Sequence, residues 1–161
     1  MATTARAVLA VWNDIDAEVE DAFNDWYQHD HLPDRLSVPG FLDARRGIAV
    51  SGRPKYCAFY SLASLDVLRS QRYLERLANP TPGTTSIMPH FRAMNRSACA
   101  LTQEAGRGVG GVMVSSPLSP VPGQAAELRR RIAEEVFPAM MHLPGVLRLQ
   151  LWEAEPALSE I

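Results

Sequence analysis

The stretch Phe41-Leu42-Asp43-Ala44-Arg45-Arg46-Gly47-Ile48-Ala49-Val50-Ser51-Gly52-Arg53-Pro54-Lys55-Tyr56-Cys57-Ala58-Phe59-Tyr60-Ser61-Leu62 reads as two strands joined by a turn. Ser51-Gly52-Arg53-Pro54 supplies the turn chemistry, and apolar and aromatic residues flank it on both sides. Helical patterns lie on either side of this pair. Upstream, Val19, Ala22, Phe23, Trp26 and Tyr27 recur at helical spacing, which predicts an amphipathic helix with one apolar stripe. Asp14 and Asp16 provide a turn and a candidate N-cap before it. Pro33 is expected to end it, because the residue before a proline avoids helical angles. A short turn, Asp34 to Leu36, then leads into Val38-Pro39-Gly40. Downstream, Ser64 is expected to cap a second helix running to Leu77, and Asn79-Pro80-Thr81-Pro82-Gly83 to break it.

Working outward again, Val8 to Trp12 is an uninterrupted apolar run and Phe91 to Leu101 a further strand. The order is strand, helix, strand, strand, helix, strand, the split pattern of a ferredoxin-like α+β unit, here residues 1–104. The chain then begins again. Gly108 to Ser115 reads as a strand, and Leu128, Ile132, Val136 and Met140 line one face of a helix. Leu143-Pro144-Gly145-Val146 then leads into a strand reaching Glu153. It stands where Val38-Pro39-Gly40-Phe41 stands in the first pass, at an offset of 105 residues (145 − 40). Residues 105–161 are therefore read as a partial second copy, strand, helix, strand. A sheet of this kind leaves one face uncovered by its own helices, so the sheets are expected to pair into an α/β barrel. The second copy stops at Ile161 after two strands. Its exposed edge predicts a homodimer, or sequence beyond Ile161, to complete it.

Composition narrows the function. Of 161 residues, 47% are hydrophobic and 21% charged, and the net charge is −2, so no global field attracts nucleic acid or an anionic membrane. Arg129, Arg130 and Arg131 are followed by Glu134 and Glu135, which reads as a self-paired solvated face. No apolar stretch approaches the ~20 residues of a spanning helix, and Met1 to Trp12 makes a poor signal peptide. Cys57 and Cys99 lie in apolar strand-like runs, as expected of buried reduced thiols in a cytoplasmic protein. Gly106, Gly108, Gly110 and Gly111 precede a strand and so lack the geometry of a phosphate loop. No cofactor is expected.

Chemistry concentrates in Trp26-Tyr27-Gln28-His29-Asp30-His31-Leu32-Pro33-Asp34-Arg35. Tyr27 and His31 are four apart on one helix face, beside the apolar stripe. His31 could point into a cavity as a general acid or base, or bond the last carbonyls of its helix as a cap. His29 and His31 point apart on a helix, and His90 is the one obvious recruit, so a metal is not assigned. Arg46 shares a strand face with Leu42, Ala44, Ile48 and Val50 by alternation. It needs an anion there, either a structural carboxylate such as Asp43 of a neighbouring copy or an anionic ligand. Tyr60 faces the same way as Tyr56, and serves a ligand or simply the core. The candidate catalytic set is His31, Tyr27 and Asp30, with Trp26, Arg46, Tyr60 and His90 as candidate substrate contacts.

Phe23, Tyr27, His31, Pro33 and Val38-Pro39-Gly40-Phe41 together resemble the F-x-x-x-Y-x-x-x-H-x-P and PGF pattern of EthD-like proteins, from Val8 to Leu101. The resemblance implies membership of the dimeric α/β-barrel superfamily, whose ferredoxin-like sheets close a barrel in pairs. It further implies a small-molecule enzyme without metal or flavin, of isomerase, dehydratase, lyase or monooxygenase type, acting on an aromatic or lactone-like compound. The alternative is a non-catalytic binding or oligomerisation module. Met141-His142-Leu143-Pro144 lacks the Tyr-to-His spacing, so only the first copy is expected to keep a polar site.

Overall fold

The computed structural model describes residues 5–160. The chain opens with β1 (Ala7–Ile15) and a 3-10 turn (Ala17–Val19). One continuous helix follows: α1 (Glu20–Trp26), a π-helical turn (Tyr27–His31) and α2 (Leu32–Leu36). Then come β2 (Phe41–Ile48), β3 (Tyr56–Leu62), a 3-10 segment (Leu65–Arg69), α3 (Gln71–Ala78), α4 (Pro82–Ile87), a 3-10 turn (Met88–His90) and β4 (Phe91–Gly106). The remainder holds α5 (Ala125–Arg131), a second π-helical turn (Ile132–Val136), α6 (Phe137–Met141), β5 (Arg148–Ala154) and α7 (Pro156–Ser159).

Five strands form an α+β sheet in the order β2-β3-β1-β4-β5. β1 is antiparallel to both β3 and β4, and β2 is antiparallel to β3. The sheet is open, with β2 and β5 at its edges, so the chain does not close a barrel on itself. In β3 the residues Tyr56, Ala58, Tyr60 and Leu62 are buried, whereas the alternate ones are partly exposed. These four join Phe23, Trp26, Tyr27 and Tyr73 in the main core, between the sheet and the helices. Val8 and Ala10 point the opposite way on β1 and are also buried, at 3% and 1% exposure. Among the described residues no helix is long and apolar enough to cross a membrane.

The described residues divide into two compact units: those up to Leu101 with those from Trp152 onward, and Thr102–Leu151. The second unit departs from the expected repeat. Gly108 to Ser115 is not a strand; it is an exposed loop, with Val112 80% and Val114 85% accessible. An apolar run becomes a strand only where a neighbour accepts its backbone bonds, and among the described residues this one pairs with no strand.

Two segments nonetheless share local backbone geometry. Tyr27–His31 and Ile132–Val136 are both π turns, at the same offset of 105 residues. Each is followed by a proline in its next helical segment, Pro33 and Pro138, then by a turn ending at a glycine of positive φ, Gly40 at 98° and Gly145 at 87°. The π turn also overturns the expectation that Pro33 ends the first helix. Proline lacks an N–H, and its ring presses on the carbonyl four residues back in a regular helix. Here the Leu32 N–H bonds the Tyr27 carbonyl, five residues back, and the wider turn lets the helix pass through Pro33 to Leu36.

Caps also differ from expectation. Ser64 makes no cap bond; Ser70 does, accepting from the Tyr73 N–H at 3.3 Å. Asp16 caps nothing with its side chain, which pairs instead with Arg92 at 2.6 Å. The proline-rich breaker holds a helix of its own, α4, capped by Thr81.

Candidate active site

Glu20 and Asp21 in the first turn complement the dipole of α1. Phe23, Trp26 and Tyr27 form the buried stripe that seats the helix on the sheet. The π turn then carries His31 to the same side. Its ring centre lies 4.5 Å from Trp26, 5.2 Å from Tyr27 and 6.4 Å from Tyr60 on β3. Phe41 on β2 reaches Tyr60 edge-on at 5.7 Å and Tyr73 on α3 at 5.6 Å. Five of the predicted residues, Trp26, Tyr27, His31, Arg46 and Tyr60, thus meet between helix and sheet.

His31 does not cap the helix. It is partly buried and makes no hydrogen bond among the described residues. Burial first, then the charges of Arg35 and Arg46, lower its pKa to about 3. The imidazole is therefore neutral at neutral pH, with one nitrogen free to accept and the other to donate. Tyr27 and Tyr60 are 2% and 1% exposed, and burial raises both phenol pKa values. The two hydroxyls are close enough to perturb each other. Tyr60 Oη nevertheless makes no hydrogen bond of ordinary geometry. A buried polar group left unmatched costs free energy, so this hydroxyl marks a place where a partner is due.

Among the described residues of its own chain, Arg46 makes no ion pair with a carboxylate, Asp43 included. Asp43 instead takes Arg45 Nε at 3.0 Å. Arg46 Nη2 donates to Asn24 Oδ1 at 2.9 Å, and its guanidinium lies over the rings of Tyr27 (4.1 Å), Phe23 (5.0 Å) and Tyr56 (5.5 Å). The apolar face assigned to β2 is also revised. A register shift between Phe41 and Asp43 turns Leu42 outward, leaving Phe41, Ala44 and Arg46 on the helix side. Ile48 is 59% exposed, and Val50 lies past the strand.

Two predicted residues are held elsewhere. Asp30 Oδ2 accepts from Thr81 Oγ1 at 2.7 Å, tying the π turn to the start of α4. His90 Nδ1 lies 3.1 Å from Asp16 Oδ2, beside the turn after β1. His29 pairs with Asp25 on the exposed side of the helix, and no group of potential metal ligands forms among the described residues. Trp26 Nε1 donates to Thr84 Oγ1 at 3.2 Å, so its ring edge is anchored to α4 while its face lines the cluster.

Two contributors were missed in the sequence. Arg35 is buried, bonded to Asp34 at 2.6 Å and stacked over Tyr73 at 5.7 Å. Its position four residues after His31 was the available signal. Asn24 orients Arg46 and also donates to Tyr56 Oη at 3.3 Å, while Tyr56 donates to Glu20 Oε1 at 2.5 Å. Nothing in the sequence singled out Asn24, since its partners are brought to it by the sheet. Compared with protein-family models, curated proteins and solved structures, the chain finds no match in any of the three.

Proposed function

We propose that the chain is a small-molecule enzyme needing no metal or flavin, which moves a proton on an aromatic or lactone-like compound. The observation that carries this reading is the trio Tyr27, His31 and Tyr60: a neutral imidazole without a hydrogen bond among the described residues, beside two neutral phenols, of which Tyr60 makes no hydrogen bond of ordinary geometry. Such a pairing suits abstraction of a proton next to a carbonyl or from a phenol. His31 takes the proton, and Tyr60 donates its hydroxyl hydrogen to the oxygen where charge develops. Isomerisation, dehydration, lyase chemistry and oxygen-dependent hydroxylation all begin with that step. The strand order β2-β3-β1-β4 with helices between β1 and β2 and between β3 and β4 supports a ferredoxin-like reading of the first unit. On that reading a homodimer pairs two sheets into a barrel in the cytoplasm, where Cys57 and Cys99 stay reduced. Light scattering in dilute buffer checks the dimer.

One observation favours a non-catalytic binding or assembly module instead: the rings around His31 fill their own space in successive edge contacts. A thermal-shift screen with phenolic acids and lactones separates the two. A related group of stabilising compounds, turned over by the wild type and neither bound nor converted by His31→Ala, supports the enzyme. An empty screen with a strongly destabilised His31→Ala supports the module.

A further inference from the structure

The chain's inward-facing cations are treated unequally. Arg35 is closed by Asp34 at 2.6 Å, and Asp34 also takes Arg76 at 3.2 Å. On the exposed surface, Arg45, Arg92 and Arg130 all sit on carboxylates. Arg46 is partly buried on the helix side of β2, yet no carboxylate lies within ion-pair distance among the described residues. A guanidinium offers five N–H donors. Arg46 spends one of them, on the neutral Asn24. Among the described residues Tyr60 Oη makes no hydrogen bond of ordinary geometry, and His31 makes none. The three groups belong to one cluster, because Arg46 stacks on Tyr27, whose ring in turn meets His31.

Removing a cation from water without an anion is costly, and ring faces recover part of that cost. What they leave unused is the planar fork, the feature of arginine that fits a carboxylate with two parallel hydrogen bonds. We propose that the ligand of the Tyr27, His31 and Tyr60 site is a planar organic carboxylate, its anionic group held by Arg46. This rests on the functional reading above and assigns it a substrate class. It also resolves a tension in that reading. Burial, with the charges of Arg35 and Arg46, keeps His31 neutral and makes it a weak base; a bound carboxylate balances the Arg46 part of that effect and lets the imidazole hold a proton more firmly.

The test compares benzoate with benzamide, its neutral counterpart, at constant ionic strength. The readouts are the thermal midpoint and the His31 ring signals in NMR. Benzoate should bind at least about tenfold more tightly than benzamide, the worth of one charge-assisted hydrogen bond, and should raise the pH at which His31 titrates. Arg46→Met should erase that preference while still unfolding cooperatively, and Arg46→Lys should retain part of it. Equal binding of the two probes overturns the proposal, as does full benzoate binding by Arg46→Met. Neutral lactones that bind in a His31-dependent manner while benzoate does not would leave the site standing and remove its preference for an anion. If neither benzoate nor any neutral compound disturbs His31, both readings fall together.

Discussion

The guanidinium carbon of Arg46 lies 4.1 Å from the centre of the Tyr27 ring, so strand β2 grips the first helix through a cation over an aromatic face. The contact needs the ring and not the hydroxyl. Tyr27→Phe should stay within about 1 kcal/mol of the wild type in urea denaturation, since the Phe23 and Trp26 edge contacts also survive. Tyr27→Leu should cost roughly 2 kcal/mol or more, through lost ring contacts and a partly filled cavity. Equal losses in the two variants would place the stabilisation in the hydroxyl.

His31 makes stability depend on acid. It is faced by Arg35 from the next turn, Arg46 from β2 and Tyr60 from β3, and its pKa falls to about 3. An unfolded histidine titrates near 6.5, so the unfolded chain binds the proton first. The contribution is complete above roughly pH 6.5 and is lost as pH falls toward 3, at about 1.4 kcal/mol per unit. Between pH 7 and pH 5, His31→Gln should therefore lose roughly 2 kcal/mol less than the wild type. Parallel stability curves for the two proteins would show that the imidazole is protonated as readily folded as unfolded.

Gly40 and Gly145 each end the turn after a helix with a π turn but differ in surroundings. Both have positive φ, which strains any other residue. At Gly40 an added Cβ would also strike Val67 Cγ2, whereas at Gly145 it would enter open space. Gly145→Ala should cost about 1 kcal/mol, from backbone strain alone, and Gly40→Ala at least about twice that. Chemical denaturation of the two variants decides it, and the reverse ranking would contradict the packing described for the Val38 to Phe41 turn.

Burial raises the pKa of both thiols, Cys99 to about 11. Neither should react quickly with Ellman's reagent at pH 8 in the native protein, and both should react once denaturant is added. Rapid labelling of the folded chain would mean that a strand carrying a cysteine opens readily.

The parts of this fold legible in the sequence are those set by local periodicity. Tyr56, Ala58, Tyr60 and Leu62 alternate inward on β3 as written, and Phe23, Trp26 and Tyr27 mark the buried helix stripe. Five site residues came together for the same reason. Illegible were features decided by distant partners. Leu42 reads as inward by alternation, but the shift in pairing with β3 turns it out. Val112 to Val114 has strand composition but pairs with no strand among the described residues. Asp30 and His90 look like members of a polar site, but Thr81 and Asp16, remote in sequence, hold them elsewhere. Pro33 shows a local rule yielding to a local alternative, because a turn widened by one residue removes the clash that would have stopped the helix.

That widened turn leaves each long helix with one residue of slack. A regular helix advances roughly 100° per residue, so deleting a residue from it swings every later side chain off its face. A deletion within Tyr27–His31 or Ile132–Val136 can instead be absorbed by tightening the turn to about 3.6 residues, provided the proline beyond it is also replaced. Helix length is thus adjustable at the one point where the candidate chemistry sits. A shortened chain with Pro33→Ala would keep Phe23 and Val38 seated while changing which groups face Arg46, allowing the site to be altered while its scaffold stays in place.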